Sequence, residues 1–198
     1  MVNRLDLYLI RHGATESNRQ KRYIGWREES LTEEGVKQVE QLRKKLPLMA
    51  SVYTSDLSRC RETAGILSLV FREEKALREY DFGDFDGKRY EELKDEESYK
   101  RWLDDMENET PGNGERFSHF KDRVLQFVNG FLETYECAAS PVALVTHGGV
   151  IRTLLQHFSK QTSSMWEWSV DPGEAYHIQL LKEGNEWILL QAERITAN

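Results

Sequence analysis

The 198-residue chain has only two cysteines and four prolines, carries no excess of positive charge, and contains no long apolar run. Cys60 and Cys137 offer neither a disulfide framework nor a metal-ligand spacing, which suits a reducing compartment. A membrane helix needs roughly 20 consecutive apolar residues, and the apolar runs here, such as residues 7–10 and 142–145, have the length of strands. The first residues lead straight into one of these runs, too brief for a signal-peptide core, so a cytoplasmic protein is expected. With 27 Lys and Arg against 34 Asp and Glu, the net charge of -7 argues against nucleic acid or an anionic membrane as partner. Any anionic ligand must be held by a local pocket. What is present, 39% hydrophobic and 31% charged residues, suits one globular domain over residues 1–198.

Strand and helix patterns alternate along the chain. Residues 5–10 read as a strand that stops at Arg11-His12-Gly13. From Thr32, a candidate N-cap, Val36, Val39, Leu42 and Leu46 recur at helical spacing until Pro47. Val52-Tyr53-Thr54 reads as a short strand. Ser55-Asp56 reads as the cap of a second helix whose apolar face is Cys60, Ala64, Leu67 and Phe71. Residues 80–114, rich in acids, glycine and aromatics, are expected to form a lid-like insertion with short helices near 90–93 and 99–106. Phe117, Phe120, Val124, Phe127, Val128 and Phe131 trace a long amphipathic helix, and Val142-Ala143-Leu144-Val145 a buried strand ending in Thr146-His147-Gly148-Gly149. A helix with Ile151, Leu154, Leu155 and Phe158 on one face follows. Strands at 176–181 and 187–190 flank Gly184-Asn185 as a C-terminal hairpin. The expected fold is α/β, a three-layer sandwich with a mostly parallel central sheet and helices on both faces. Ligands of such sheets sit beyond the carboxyl ends of the strands, so His12 and His147 meet at one edge if their strands are neighbours.

Those residue types suit phosphate chemistry. Arginine presents a planar fork that matches phosphate oxygens, and Arg11 and Arg59 both stand near strand ends. A neutral imidazole can attack phosphorus and split one displacement into two through a phosphohistidine, a task suited to His12. A second, cationic imidazole, His147, would stabilise charge on the transferring group. The leaving oxygen needs a proton-holding carboxyl group, for which Glu79, Asp81, Asp84 and Asp86 are all candidates. His119, His157 and His177 lack such surroundings and are taken as surface or satisfied core residues. Trp102, Trp166 and Trp168 are taken as packing, since bulky aromatics more often are.

The run Leu7-Tyr8-Leu9-Ile10-Arg11-His12-Gly13-Ala14-Thr15-Glu16-Ser17-Asn18 resembles the signature of the histidine phosphatase superfamily, which includes the cofactor-dependent phosphoglycerate mutases. Leu31-Thr32-Glu33-Glu34-Gly35, Thr54-Ser55-Asp56-Leu57-Ser58-Arg59-Cys60-Arg61-Glu62-Thr63-Ala64 and Val145-Thr146-His147-Gly148-Gly149-Val150-Ile151-Arg152 resemble further blocks in family order. The resemblance implies that His12 accepts the phosphoryl group, that Arg11, Arg59 and His147 complete the phosphate pocket, and that Glu79 is the general acid. It also implies Asn18, Gly25 and Gly148 in substrate binding, with no metal and no cofactor. Leu-Arg-Glu-x-Asp-Phe-Gly at 77–83 and Pro111-Gly112-Asn113-Gly114-Glu115 are similar to small bacterial phosphatases, including the α-ribazole phosphatases. Phe85-Asp86-Gly87 departs from the common Trp-Glu-Gly, and Arg116 from the usual serine.

Hydrolysis of a small phosphate monoester is therefore the expected activity. A phosphoglycerate mutase is the alternative, but mutases of the family usually carry Trp-Asn where this chain has Ser17-Asn18, and they run longer. A non-catalytic phospho-ligand module is disfavoured because His12, Arg11, Arg59, Glu79 and His147 are all present. Oligomeric state is not encoded in any of these motifs.

Overall fold

The computed structural model describes residues 4–68, 70–135, 141–159 and 165–197; Cys137 lies outside them. Its frame is a six-stranded sheet in the order β3-β2-β4-β1-β5-β6. The strands are β1 (Arg4–Arg11), β2 (Ser51–Thr54), β3 (Arg72–Glu73), β4 (Val142–Thr146), β5 (Ala175–Glu183) and β6 (Glu186–Ile195). The first four run parallel, and β5 and β6 add an antiparallel hairpin against β1. Gly184, at φ +61° in the hairpin's two-residue loop, adopts a conformation that side chains disfavour.

Period-two alternation sorts the strand side chains onto two cores. Leu5, Leu7 and Leu9 of β1 with Val142 and Leu144 of β4 join one core, while Tyr8, Ile10, Ala143 and Val145 join the other. The first is covered by α6 (Phe117–Thr134) and α7 (Gly148–Ser159), the second by α2 (Glu33–Arg43) and α3 (Ser58–Leu67). This is the expected three-layer arrangement. Burying a leucine fully stabilises by about 2 kcal/mol, and both faces of the central strands contribute such residues, which makes β1 and β4 a rigid platform.

Three local expectations need correction. The periodicity to Leu46 overran α2, which ends at Arg43 because Lys44, Lys45 and Leu46 bond three residues back in a tightened last turn. Ser55-Asp56 does not cap α3: Leu57 holds the N-cap position without a side-chain bond, and Phe71 falls beyond the helix. Asp56 instead takes a bidentate pair from Arg78, both bonds at 2.7 Å, a stronger interaction than a neutral cap.

The segment 80–114 contains α4 (Tyr90–Leu93) and α5 (Glu97–Asp104), following the four-residue α1 (Glu16–Arg19) and the other helices in chain order. Far from lying loose over the surface, it drives Tyr80, Phe85, Leu93, Tyr99 and Trp102 into the first core, where they pack with Phe117 and Phe120. Among the described residues no helix is long and apolar enough to cross a membrane.

Candidate active site

Register brings the two histidines together. Arg11 pairs with Thr146 at the ends of β1 and β4, and the next amide, His12 N–H, donates to Thr146 O at 3.0 Å. His12 and His147 therefore leave adjacent strands abreast, with ring centroids 5.2 Å apart. Thr54 of β2 pairs with Val145 on the far side of β4, so Ser55 emerges at the same edge. Arg59 follows in the first turn of α3.

The ring of His12 is oriented by its own backbone neighbour. Nδ1 lies 2.8 Å from Gly13 O, an acceptor only, so Nδ1 carries the hydrogen and Nε2 keeps its lone pair. Burial, followed by the charges of Arg59 and Arg11, pushes the imidazole well below its ordinary value and holds it neutral. That is the protonation state a nucleophile requires.

Around it sit two guanidinium groups, Arg59 buried and Arg11 half-buried. Arg59 is fully buried and donates to Arg27 O (2.9 Å), Gly25 O (2.7 Å) and His147 Nδ1 (3.2 Å). Arg11 donates through Nη1 to Val170 O at 2.7 Å. Among the described residues the Nε–H of each is buried with no partner, and neither guanidinium has a carboxylate at ion-pair distance. Burial lowers both, Arg11 to about 10, with Glu79 opposing the shift. Two desolvated cations with unspent donors make a site that binding of an anion stabilises.

His147 departs from the cationic reading in the ligand-free chain. It must accept from Arg59 at Nδ1, which leaves the hydrogen on Nε2 to donate to Ser55 Oγ at 3.0 Å. Burial and the charge of Arg59 hold it neutral. Cys60 Sγ lies 3.4 Å from the same Nε2, and burial drives its thiol up to about 12.

Glu79 hangs from the loop before α4. Its Oε2 accepts from Gly149 N–H at 3.0 Å and its Oε1 from Tyr80 N–H at 3.0 Å. A side chain at Gly149 would overlap the carboxylate and push Glu79 out of its present position. Arg123 of α6 holds the loop beneath, donating to the carbonyls of Ala76 (2.9 Å), Arg78 (2.7 Å) and Glu79 (2.8 Å) while pairing with Glu115. Trp26 Nε1 donates to Glu79 O as well, at 2.8 Å.

A cavity of about 290 Å³ opens in front of these groups. Arg11, His12, Asn18, Glu79 and Gly148 line it, whereas Arg59, His147 and Gly25 stand behind its wall. Asn18 spends Oδ1 on Thr15 N–H and Oγ1–H in capping α1, so Nδ2 is what it can offer a ligand. The place of Gly25 is structural. Its carbonyl anchors Arg59, and a Cβ would press to 2.6 Å from Tyr80 O. Sequence reading passed over Arg152, Trp102 and Trp166, which also line the cavity. Their only sequence signal was position: Arg152 lies four residues after Gly148, one helical turn into α7. Ser55 and Arg123 were missed too, one read as a cap and the other hidden on an aromatic helix face. Among the described residues no group of three or more His, Cys, Asp or Glu side chains could hold a metal ion.

The model of the histidine phosphatase superfamily (branch 1) matches residues 7–193. An adenosylcobalamin/alpha-ribazole phosphatase of Salmonella typhimurium is 33% identical over 179 residues, 85% of this chain and 87% of its own length. A 2,3-bisphosphoglycerate-dependent phosphoglycerate mutase of Parvibaculum lavamentivorans is 29% identical over 78% of this chain and 80% of its own. Among solved structures, the alpha-ribazole phosphatase from Shigella flexneri superposes with a TM-score of 0.82 at 28% identity, covering 98% of this chain and 96% of that one.

Proposed function

Because this chain belongs to the histidine phosphatase superfamily and is a phosphatase of that group, we propose that it hydrolyses a small phosphate monoester in two steps through a phosphohistidine on His12. The observation that carries the reading is the bare Nε2 of a neutral His12 beside the unpartnered Nε–H groups of Arg11 and Arg59.

In the first step Nε2 attacks phosphorus, the ester P–O bond breaks, and the leaving oxygen takes a proton from Glu79. Arg11 and Arg59 hold the non-bridging oxygens, and His147, relayed to Arg59 and Ser55, adds hydrogen-bonding capacity behind them. In the second step water attacks phosphorus, Glu79 takes back a proton, the P–N bond breaks and inorganic phosphate departs. Asn18 and Gly148 complete the ligand contacts, with Gly25 as the anchor of Arg59. His12, Glu79 and the arginines supply the nucleophile, the acid and the phosphate donors, so this reading calls on no metal or cofactor. Residues 80–114 wall the leaving-group side within a single domain. The substrate we favour is α-ribazole 5'-phosphate, supported by the names of the relatives, and the place of action the cytoplasm, supported by the two-cysteine composition.

The test is phosphate release by the metal-free protein from α-ribazole phosphate, p-nitrophenyl phosphate, sugar phosphates and 3-phosphoglycerate, beside a coupled mutase assay. Rapid release together with an acid-labile, base-stable phosphoprotein that His12→Ala abolishes is the expected result. Efficient interconversion of phosphoglycerates with little free phosphate would overturn it.

A further inference from the structure

On the side of β5, the strand that carries Arg11 and His12 is gripped by a turn that the two-step path leaves unused. Asp171-Pro172-Gly173-Glu174 closes with Glu174 N–H donating to Asp171 O at 3.1 Å, and Gly173 takes φ +77°. Proline at the second position and glycine at the third suit a type II turn. Gly173 N–H donates to His12 O and Glu174 O accepts from Arg11 N–H, both at 2.9 Å, while the carbonyl just before the turn, Val170 O, takes Arg11 Nη1 at 2.7 Å. The Nε–H of Arg11 has no partner among the described residues. The bond to Val170 therefore directs the guanidinium.

A guanidinium fork from the edge of the sheet locks this loop. Arg194 of β6 donates through Nε (2.8 Å) and Nη2 (2.5 Å) to Glu174 Oε2, and through Nη2 to Asp171 Oδ2 at 3.0 Å. Glu174 Oε2 also accepts Asp171 N–H at 2.9 Å. Glu174 keeps only 8% of its surface exposed. A carboxylate so buried is costly without its cation, so the pair holds the turn closed. Tyr176 Oη adds a further tie, donating to Ser169 O at 2.9 Å.

We propose that Glu174 and Arg194 are positioning residues for phosphoryl transfer: through the turn at 171–174 and the Val170 carbonyl they set the direction in which Arg11 meets the phosphate. The inference rests on the proposed function, because it takes Arg11 as a phosphate donor. Neither residue lines the cavity, so each acts at one remove from the substrate.

Calorimetry with inorganic phosphate reads the aim of Arg11 without turnover, and kcat/KM reads it during transfer. Arg194→Met is expected to lower both by about tenfold, by the same factor for p-nitrophenyl phosphate and for alkyl phosphates, since the phosphate is common to them. Glu174→Gln, of the same shape but uncharged, is expected to lose about threefold in each. In an Arg11→Met background, Arg194→Met should cost less than about twofold in kcat/KM, because its route to the phosphate is already cut. Folded variants with the parent's phosphate affinity and rate would overturn the proposal. So would a loss as large in the Arg11→Met background as in the parent, which would leave the turn a structural support. Failure of the hydrolase reading shows differently: the parent releases no phosphate from p-nitrophenyl phosphate, or release survives His12→Ala.

Discussion

The two ends of the cavity are held by opposite means. At the phosphate end, His12, Ser55 and His147 are each the first residue after a parallel strand, and their placement follows from the register of β1, β2 and β4. Apart from the bare Nε2 of His12, their ring and hydroxyl atoms are tied to backbone or to neighbouring side chains, with Arg59 making three bonds at no solvent exposure. At the alcohol end the wall comes from 80–114, α6, α7 and a single turn at Met165–Glu167, joined more by ring packing than by directed bonds. Phosphate is the same in every substrate, so a rigid, directional end suits it. The alcohol differs between substrates, and an aromatic wall can be repacked without disturbing the strands. Substitutions at the first end should therefore destroy chemistry, whereas those at the second should redirect it.

The largest effect expected is from His12→Ala, which removes the neutral imidazole whose Nε2 keeps its lone pair. Turnover of p-nitrophenyl phosphate should fall by about 10⁴-fold or more, with the melting temperature within a few degrees of the parent. Retained turnover would break the contrast at its strongest point. Next comes Arg59→Lys. An ammonium cannot span Arg27 O, Gly25 O and His147 while still presenting an N–H to phosphate, so kcat/KM is expected to drop by about 10³-fold despite the kept charge. A drop of less than about tenfold would mean that charge alone matters there.

Glu79→Gln sits between the ends and should show both characters. Alkyl phosphates, whose alkoxide needs a proton, should lose about 10²-fold, while p-nitrophenyl phosphate loses little. Equal losses would remove Glu79 as the acid. Arg123→Met acts through Glu79 by releasing three loop carbonyls. A smaller loss of about tenfold is expected for alkyl esters, with the same sparing of the activated aryl ester. A uniform loss across both would reduce Arg123 to a structural support.

The same contrast explains what could be read from the sequence. The strands, the long helices and the pairing of His12 with His147 were legible because a strand ending in Arg-His-Gly and another in Thr-His-Gly-Gly carry their chemistry within one or two residues of a regular element. The alcohol end was not. Trp102 is buried in the core and lines the cavity at once, and nothing in its neighbours distinguishes a packing tryptophan from a wall. The acidic segment 80–114 looked like solvent-facing insertion because its charges outnumber its rings, yet the rings decide the fold by joining the first core. The state of His147 was equally hidden, since it depends on which of its nitrogens faces Arg59 across a distance of 88 residues in the chain.

That state supplies the smallest and most discriminating effect. His12 and His147 are both held well below their ordinary value of 6.5 in the fold by burial first and arginine charge second. Between that value and their folded ones the unfolded chain binds more protons than the native chain, so stability falls as pH drops through 6.5 and continues to fall until the native imidazoles protonate. A loss of a few degrees in melting temperature between about pH 7 and pH 5 is expected, and it should shrink in His12→Asn and in His147→Asn, each of which removes one depressed imidazole. Imidazole resonances of both residues in NMR should stay in their neutral positions across the ordinary histidine range. If either titrates there, the phosphate end is wetter than its burial implies, and its distinction from the alcohol end narrows to geometry alone.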